Sequence, residues 1–268
     1  PYKTEPQKEN SAIRQGIDGF PIVIFWNNGT ETTFLGKYNF NNDKGTEEVY
    51  GFTEGDESWE FLNNTSDRSL FKSDDFTGDD WLNDFEGRYP DGNTDSTNLA
   101  AVVSWVKSTQ NDLTKFKNEF SNYFELNAMT FYYLFTEVFL MVDSRAKNQF
   151  LTKLGTGKWI MFPYDFDTAI GINNEGTLAF SYNLEDIDQV DSADVFNGQQ
   201  SVLWKNFRAA FYDNVKSMYA TLRSSGKFSY EYVNKQFEDH QSKWPEAIFN
   251  EDAYYKYVQP LLETGTSA

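Results

Sequence analysis

The chain has 268 residues, enough for one large domain or two small lobes, and 39% of them are hydrophobic, which excludes disorder of the whole chain. A formal net charge of −18 and a pI near 4.4 argue against a nucleic-acid partner and favour cationic partners and divalent metals. With no cysteine there is no disulfide partner and no thiolate metal site. The single histidine, His240 in a polar helical stretch, excludes a His-rich metal centre.

The polar residues 1–12 predict a flexible lead-in, and PYKTEPQKEN reads as an internal cut rather than a natural start. Residues 20–26 (FPIVIFW) predict a buried strand, Asn28-Gly29 a hairpin turn, and residues 32–40 (TTFLGKYNF) the returning strand. Residues 44–50 predict a short helix or loop, and 58–62 (SWEFL) a third strand. Residues 63–98 are rich in Asn, Asp, Ser, Thr and Gly and predict mostly loop with a solvated acidic surface. Within them Asp91, Asn93 and Asp95 imitate the start of a calcium loop, but Ser96 stands where the turn glycine belongs and Val102 where the bidentate Glu belongs.

Helical periodicity takes over at 99–106 and 111–120, and residues 122–142 are apolar nearly all round, which predicts one central buried helix. Its apolar run is interrupted by Thr136 and Glu137 and is too short to span a bilayer. Residues 149–154 and 158–162 predict a hairpin around Gly155-Thr156-Gly157. A polar loop follows over 172–200, and then amphipathic helices near 202–223, 229–243 and 251–263. Strands come first and helices later, an α+β plan. Residues 1–98 form a small, partial strand-rich lobe with an acidic loop. Residues 99–268 form a larger helical lobe with an inserted hairpin. Aromatics make up 18% of the chain; such residues can pave a carbohydrate groove, but more often they form core.

The stretch 143–171, DSRAKNQFLTKLGTGKWIMFPYDFDTAIG, carries the chemistry. An acid, Asp143, is followed by an amide, Asn148, then by a hairpin and the paired acids Asp165 and Asp167. The hairpin returns the chain to its starting edge, so these oxygen donors converge as a hard cation such as magnesium requires. Kinases order their phosphate chemistry in this way, with an acid that orients the hydroxyl nucleophile, then an amide and an acid that hold metal. On that pattern Asp143 accepts or orients the substrate hydroxyl proton. Asn148 and Asp165 hold metal, while Asp167 is a second ligand or a loop brace. Arg145 or Lys147 neutralises the transferring phosphate. Asp and Asn also cap turn amides, which is the competing structural reading.

These residues resemble the CotH kinase family, the spore-coat group of atypical bacterial protein kinases. The resemblance rests on Asp143, Asn148 and Phe150, on the PYDFDTAIG ending with Asp165, Asp167 and Gly171, and on an upstream strand–turn–strand closing in Gly36-Lys37-Tyr38. It implies an atypical protein-kinase-like fold, ATP, Mg2+ or Mn2+, and Ser/Thr phosphorylation of a protein. It also implies Asp143 as the catalytic acid and Asp165 or Asp167 as the metal ligand. Lys37 and Lys44 are candidates for phosphate contacts, with a surface lysine as the alternative for each. The acid that the family carries after its G-x-Y tyrosine is blurred here, with only Asp43 or Glu47 near that place.

The leading expectation is therefore an Mg-ATP-dependent protein kinase domain acting on a basic or Ser/Thr-rich protein. One alternative is a non-catalytic, kinase-like structural protein of a bacterial surface, spore or phage particle, which suits the acidity and the absent cysteine. The other is a carbohydrate-binding module, resting on aromatic content.

Overall fold

A computed structural model describes residues 3–16, 19–62, 75–147, 149–154, 157–166, 169–172, 177 and 196–253. Two compact units divide the chain. The first is Pro1–Ile17 with Asp43–Ala220, and the second is Asp18–Asn42 with Thr221–Ala268.

In the first unit a four-stranded antiparallel sheet has the order β4-β3-β5-β6. Its strands are β3 (Glu57–Phe61), β4 (Phe85–Tyr89), β5 (Gln149–Leu154) and β6 (Lys158–Pro163). The β5–β6 hairpin is the one that the Gly-Thr-Gly turn predicts. The 58–62 strand forms as expected, but it pairs with β5, Trp59 opposite Leu151, so segments on both sides of residue 98 share one sheet. Strand β4 falls in the stretch expected to be loop. Its Gly87 explains the weak signal, because a Cβ there would lie 2.4 Å from the Asn93 carbonyl oxygen. The close backbone approach demands a residue of poor strand propensity. Asn93 and Asp95, the calcium-loop imitators, accept from the backbone N–H groups of Asp95 and Thr97.

One sheet face packs Phe150, Ile160 and Phe162 with Tyr50, Phe52 and Tyr89. Tyr50 ends the short helix α2 (Glu47–Tyr50), which closes on Gly51 at φ 68. The lead-in is anchored rather than flexible. Helix α1 (Glu5–Glu9) is followed by a buried Ile13 whose carbonyl accepts from Gln7 Nε2 at 2.8 Å, and Arg14 N–H donates to the Val49 carbonyl at 2.8 Å.

Helices α3 (Thr97–Ser108), α4 (Leu113–Tyr123), α5 (Leu126–Val138) and α6 (Val202–Ser224) follow. Asp112 caps α4 by accepting from Lys115 N–H at 2.8 Å. Trp105, Phe116, Phe120, Phe124, Phe207 and Phe211 form a continuous aromatic cluster among these helices. Complete burial of each ring contributes about 3 kcal/mol. Trp59, Trp81, Trp105, Trp159 and Trp204 are all buried, so most of the tryptophan content builds core.

The helix expected over 122–142 is broken twice. Phe124 turns extended to bridge Trp159, and Glu125 N–H donates to the Trp159 carbonyl at 3.0 Å before α5 begins. The far end stops at Val138, and Leu140 takes the left-handed conformation at φ 47. Asp143 therefore sits in a loop one turn beyond the helix rather than as the first residue after it.

The second unit holds the hairpin β1 (Gly19–Asn27) and β2 (Thr32–Asn41), with a bulge at Ile24/Phe25. It also holds the end of α6, α7 (Tyr230–Gln241, capped by Ser229) and α8 (Glu246–Ala253). Exposed His240 lies on α7, and α8 starts earlier than periodicity suggests because Pro245 is preset for a helix N-terminus. Among the described residues no helix is long and apolar enough to cross a membrane.

Candidate functional site

The β5–β6 hairpin sets the geometry. Gln149 pairs with Pro163, so the chain that leaves β6 emerges at the edge where β5 begins. Phe150 stacks on Tyr164 at 5.2 Å, and exposed Asp165 follows in the left-handed region at φ 53. Phe166 then packs on Phe135 of α5 at 5.7 Å. Ile170 N–H donates to the Phe139 carbonyl, and Gly171 N–H donates to the Leu140 carbonyl at 3.0 Å. The segment after the hairpin is thus stitched to the loop that carries Asp143. Among the described residues, the non-glycine residues with positive φ are Leu140, Asp165 and Ile170, all on these two segments. Such conformations cost about 1–3 kcal/mol each and cluster at functional sites.

Asp143 is 6% exposed. Its Oδ1 accepts from Asn197 Nδ2, and its Oδ2 lies 3.3 Å from Lys147 Nζ. Its backbone carbonyl accepts from the N–H groups of Ala146 and Lys147 at 2.9 and 3.1 Å, which closes the loop into a tight turn. Tyr132 Oη donates to the Ser144 carbonyl at 2.6 Å, and burial pushes its phenol well above the usual range.

Arg145 does not face this site. It is 0% exposed, and its guanidinium lies between the rings of Tyr133 and Phe196 at 4.0 and 4.1 Å. It donates to Thr136 Oγ1, the Tyr133 carbonyl and Gln199 Oε1, and pairs with Glu137 at 3.3 Å. A planar five-donor fork satisfied on every side is a brace for the loop. The expectation of a phosphate-facing arginine overlooked that its neighbours in sequence are core.

Lys44 stands against Tyr164, the residue before Asp165. Its Nζ lies 4.1 Å from the Tyr164 ring centroid and donates to Glu60 Oε1 and Oε2 at 2.8 and 3.0 Å. Glu60 also accepts from Arg88 Nε. Burial favours the neutral amine of Lys44, but hydrogen bonds to Glu60 and Tyr164 outweigh it and raise its pKa above 10.5. Lys37 belongs to the second unit, where its ammonium lies 4.8 Å from the Phe249 ring centroid and 5.8 Å from that of Trp244.

Asn148 and Asp167 lie outside the described residues. Among the described residues no three His, Cys, Asp or Glu side chains group as a metal centre. Next to position 148, the buried amide of Gln149 has no hydrogen-bond partner among the described residues. Asn197, Glu60 and Arg88 have no signature of their own in the sequence. The Asn197-Gly198 pair marked a turn inside a polar stretch, and that was the one available hint.

No curated protein and no solved structure matches the chain. The family model described as "CotH kinase protein" matches residues 65–251, well over half of it, and includes the Asp143 loop, the hairpin and the Asp165 segment. The chain belongs to the CotH kinase family.

Proposed function

We propose that the chain is an atypical protein kinase domain that transfers the γ-phosphoryl group of ATP to a Ser or Thr hydroxyl of a protein. The observation that carries this reading is the stitch between Phe139–Leu140 and Ile170–Gly171, which ties the loop of Asp143 to the segment of Asp165. Asp143 takes the proton of the substrate hydroxyl as its oxygen bonds to the γ-phosphorus and the bond to the bridging oxygen breaks. Lys147 lies beside that carboxylate as a neighbouring positive charge. Lys44, held by Glu60 against Tyr164, contacts the nucleotide phosphates.

The donors suit a hard divalent cation, Mg2+ or Mn2+. Asp165 offers an exposed carboxylate on a constrained turn, with Asn148 and Asp167 as its companions in sequence. When bound, such a cation neutralises charge on the phosphates. The net charge of −18 favours a basic or Ser/Thr-rich protein substrate.

The second reading is a non-catalytic, kinase-like structural protein of a bacterial surface, spore or phage particle. One observation favours it: of the expected phosphate-facing cations, Arg145 is wholly buried and Lys37 rests on aromatic rings. The two readings part on one measurement. Mg-ATP at a hundred times its Kd adds about 2.7 kcal/mol of stability, and radiolabel from ATP passes to a basic protein such as protamine. Absence of any melting shift overturns the ATP site. A shift without transfer favours the non-catalytic reading.

A further inference from the structure

We infer that the turn over residues 196–201 is part of the active site, and that Asn197 is the positioning residue that orients the carboxylate of Asp143. The inference rests on the kinase reading and extends it to a segment some fifty residues from the catalytic loop in sequence.

Successive residues of the turn each engage the loop. The Phe196 ring lies 4.1 Å from the Arg145 guanidinium. Asn197 donates twice, from its backbone N–H to the Val142 carbonyl at 2.8 Å and from Nδ2 to Asp143 Oδ1. Gly198, at φ +80, lies so close that a Cβ would sit 2.2 Å from the Arg145 carbonyl oxygen. Gln199 Oε1 accepts from Arg145 Nη1 at 2.6 Å and from Tyr133 Oη at 3.2 Å.

The turn in turn leads directly into α6. Ser201 Oγ accepts from Trp204 N–H at 3.3 Å. One turn further, Arg208 donates to Tyr133 Oη and Glu137 Oε1, both at 3.0 Å. Glu137 thereby holds Arg145 and Arg208 together. Every group the turn uses against the loop is buried or half-buried, and backbone contacts as close as that of Gly198 leave two packed elements no room to slide.

The chemistry explains why an amide stands at position 197. A catalytic carboxylate needs one oxygen free to meet the substrate and its plane fixed. An amide N–H fixes Oδ1 and has no proton to give up, so it cannot compete with the substrate hydroxyl for the base. On the other side the partner of Oδ2 is the partly exposed Lys147, whose Nζ stands 3.3 Å away.

The test combines kinetics with a denaturant cycle on the whole chain. In Asn197→Ala, kcat for phosphate transfer from Mg-ATP to protamine falls about 10- to 100-fold while KM for ATP stays within about twofold. Asn197→Asp, which sets a second carboxylate against the first, falls further. In a cycle of Asp143→Ala and Asn197→Ala, the double variant loses less in urea midpoint than the two single losses combined. Unchanged kcat in a folded Asn197→Ala, or equal changes in kcat and KM, overturns the positioning role. Additive midpoint losses overturn the contact whatever the activity. An inactive parent with a coupled cycle sinks the kinase reading alone and leaves Asn197 as the residue that orients Asp143.

Discussion

Lys44 reaches Glu60 with its ammonium 2.8 and 3.0 Å from the two carboxylate oxygens, while Arg88 occupies the same carboxylate from the neighbouring strand. Glu60 is buried and both cations are only partly exposed; with Glu86, which also pairs with Arg88, they form a compensated charge cluster beside Tyr164. Glu60→Gln removes the shared anion and leaves Lys44 without its carboxylate, while Arg88 keeps Glu86. The expected loss is about 3 kcal/mol, in the range for breaking a buried pair, measured by urea unfolding at neutral pH. The same contact has a pH signature. The folded pKa of Lys44 is raised above 10.5, so its contribution is complete below that pH and is lost as pH rises through the folded value. Stability of the parent falls in alkali more steeply than that of Glu60→Gln; parallel curves would remove Lys44 from this account.

Asp165→Asn keeps the size and the left-handed tolerance of the residue but removes its charge. The expected outcome is loss of the Mg-ATP melting shift, with the unliganded melting temperature within a few degrees of the parent. A full shift in this variant would move the metal-ligand role to Asp167.

Arg145→Lys keeps the charge and loses the planar fork that meets Thr136, Tyr133 and Gln199 at once. The unpaired acceptors and the lost stacking cost about 3–5 kcal/mol. Circular dichroism and urea unfolding check this. A near-neutral result would mean that the guanidinium is not the brace of the loop.

Ile170 is a β-branched residue at φ 62 with 45% of its surface exposed. Ile170→Gly relieves the backbone at little packing cost and raises stability by about 0.5–1 kcal/mol. If the conformation serves the site, phosphate transfer falls as stability rises. Lower stability would show that the side chain matters more than its backbone.

The local signals in the sequence were strong where a single element satisfied itself. Asn28-Gly29 and the Gly-Thr-Gly turn announced their hairpins, the aromatic periodicity announced the helical core, and the 143–171 stretch announced the family. The family match over 65–251 agrees with the family resemblance. Signals failed where a distant partner decided the outcome. Trp159 breaks the central helix by pairing with Phe124, and Asn93 demands a glycine in β4.

In the 143–171 stretch the sequence by itself determined which side chains are available, because residue type sets charge, donor count and turn preference. Only the tertiary structure decided their surroundings. Arg145 and Lys147 lie in the same short loop, yet one is wholly buried and the other stands beside the Asp143 carboxylate. Spacing along the chain cannot distinguish them. The difference comes from which face of the loop meets α5 and the 196–201 turn, and from the cost of leaving a buried guanidinium unpaired. Asn197, invisible in the sequence motif, meets Asp143 for the same reason: long-range packing of the neighbouring Phe196 against Arg145 brings its amide to that carboxylate.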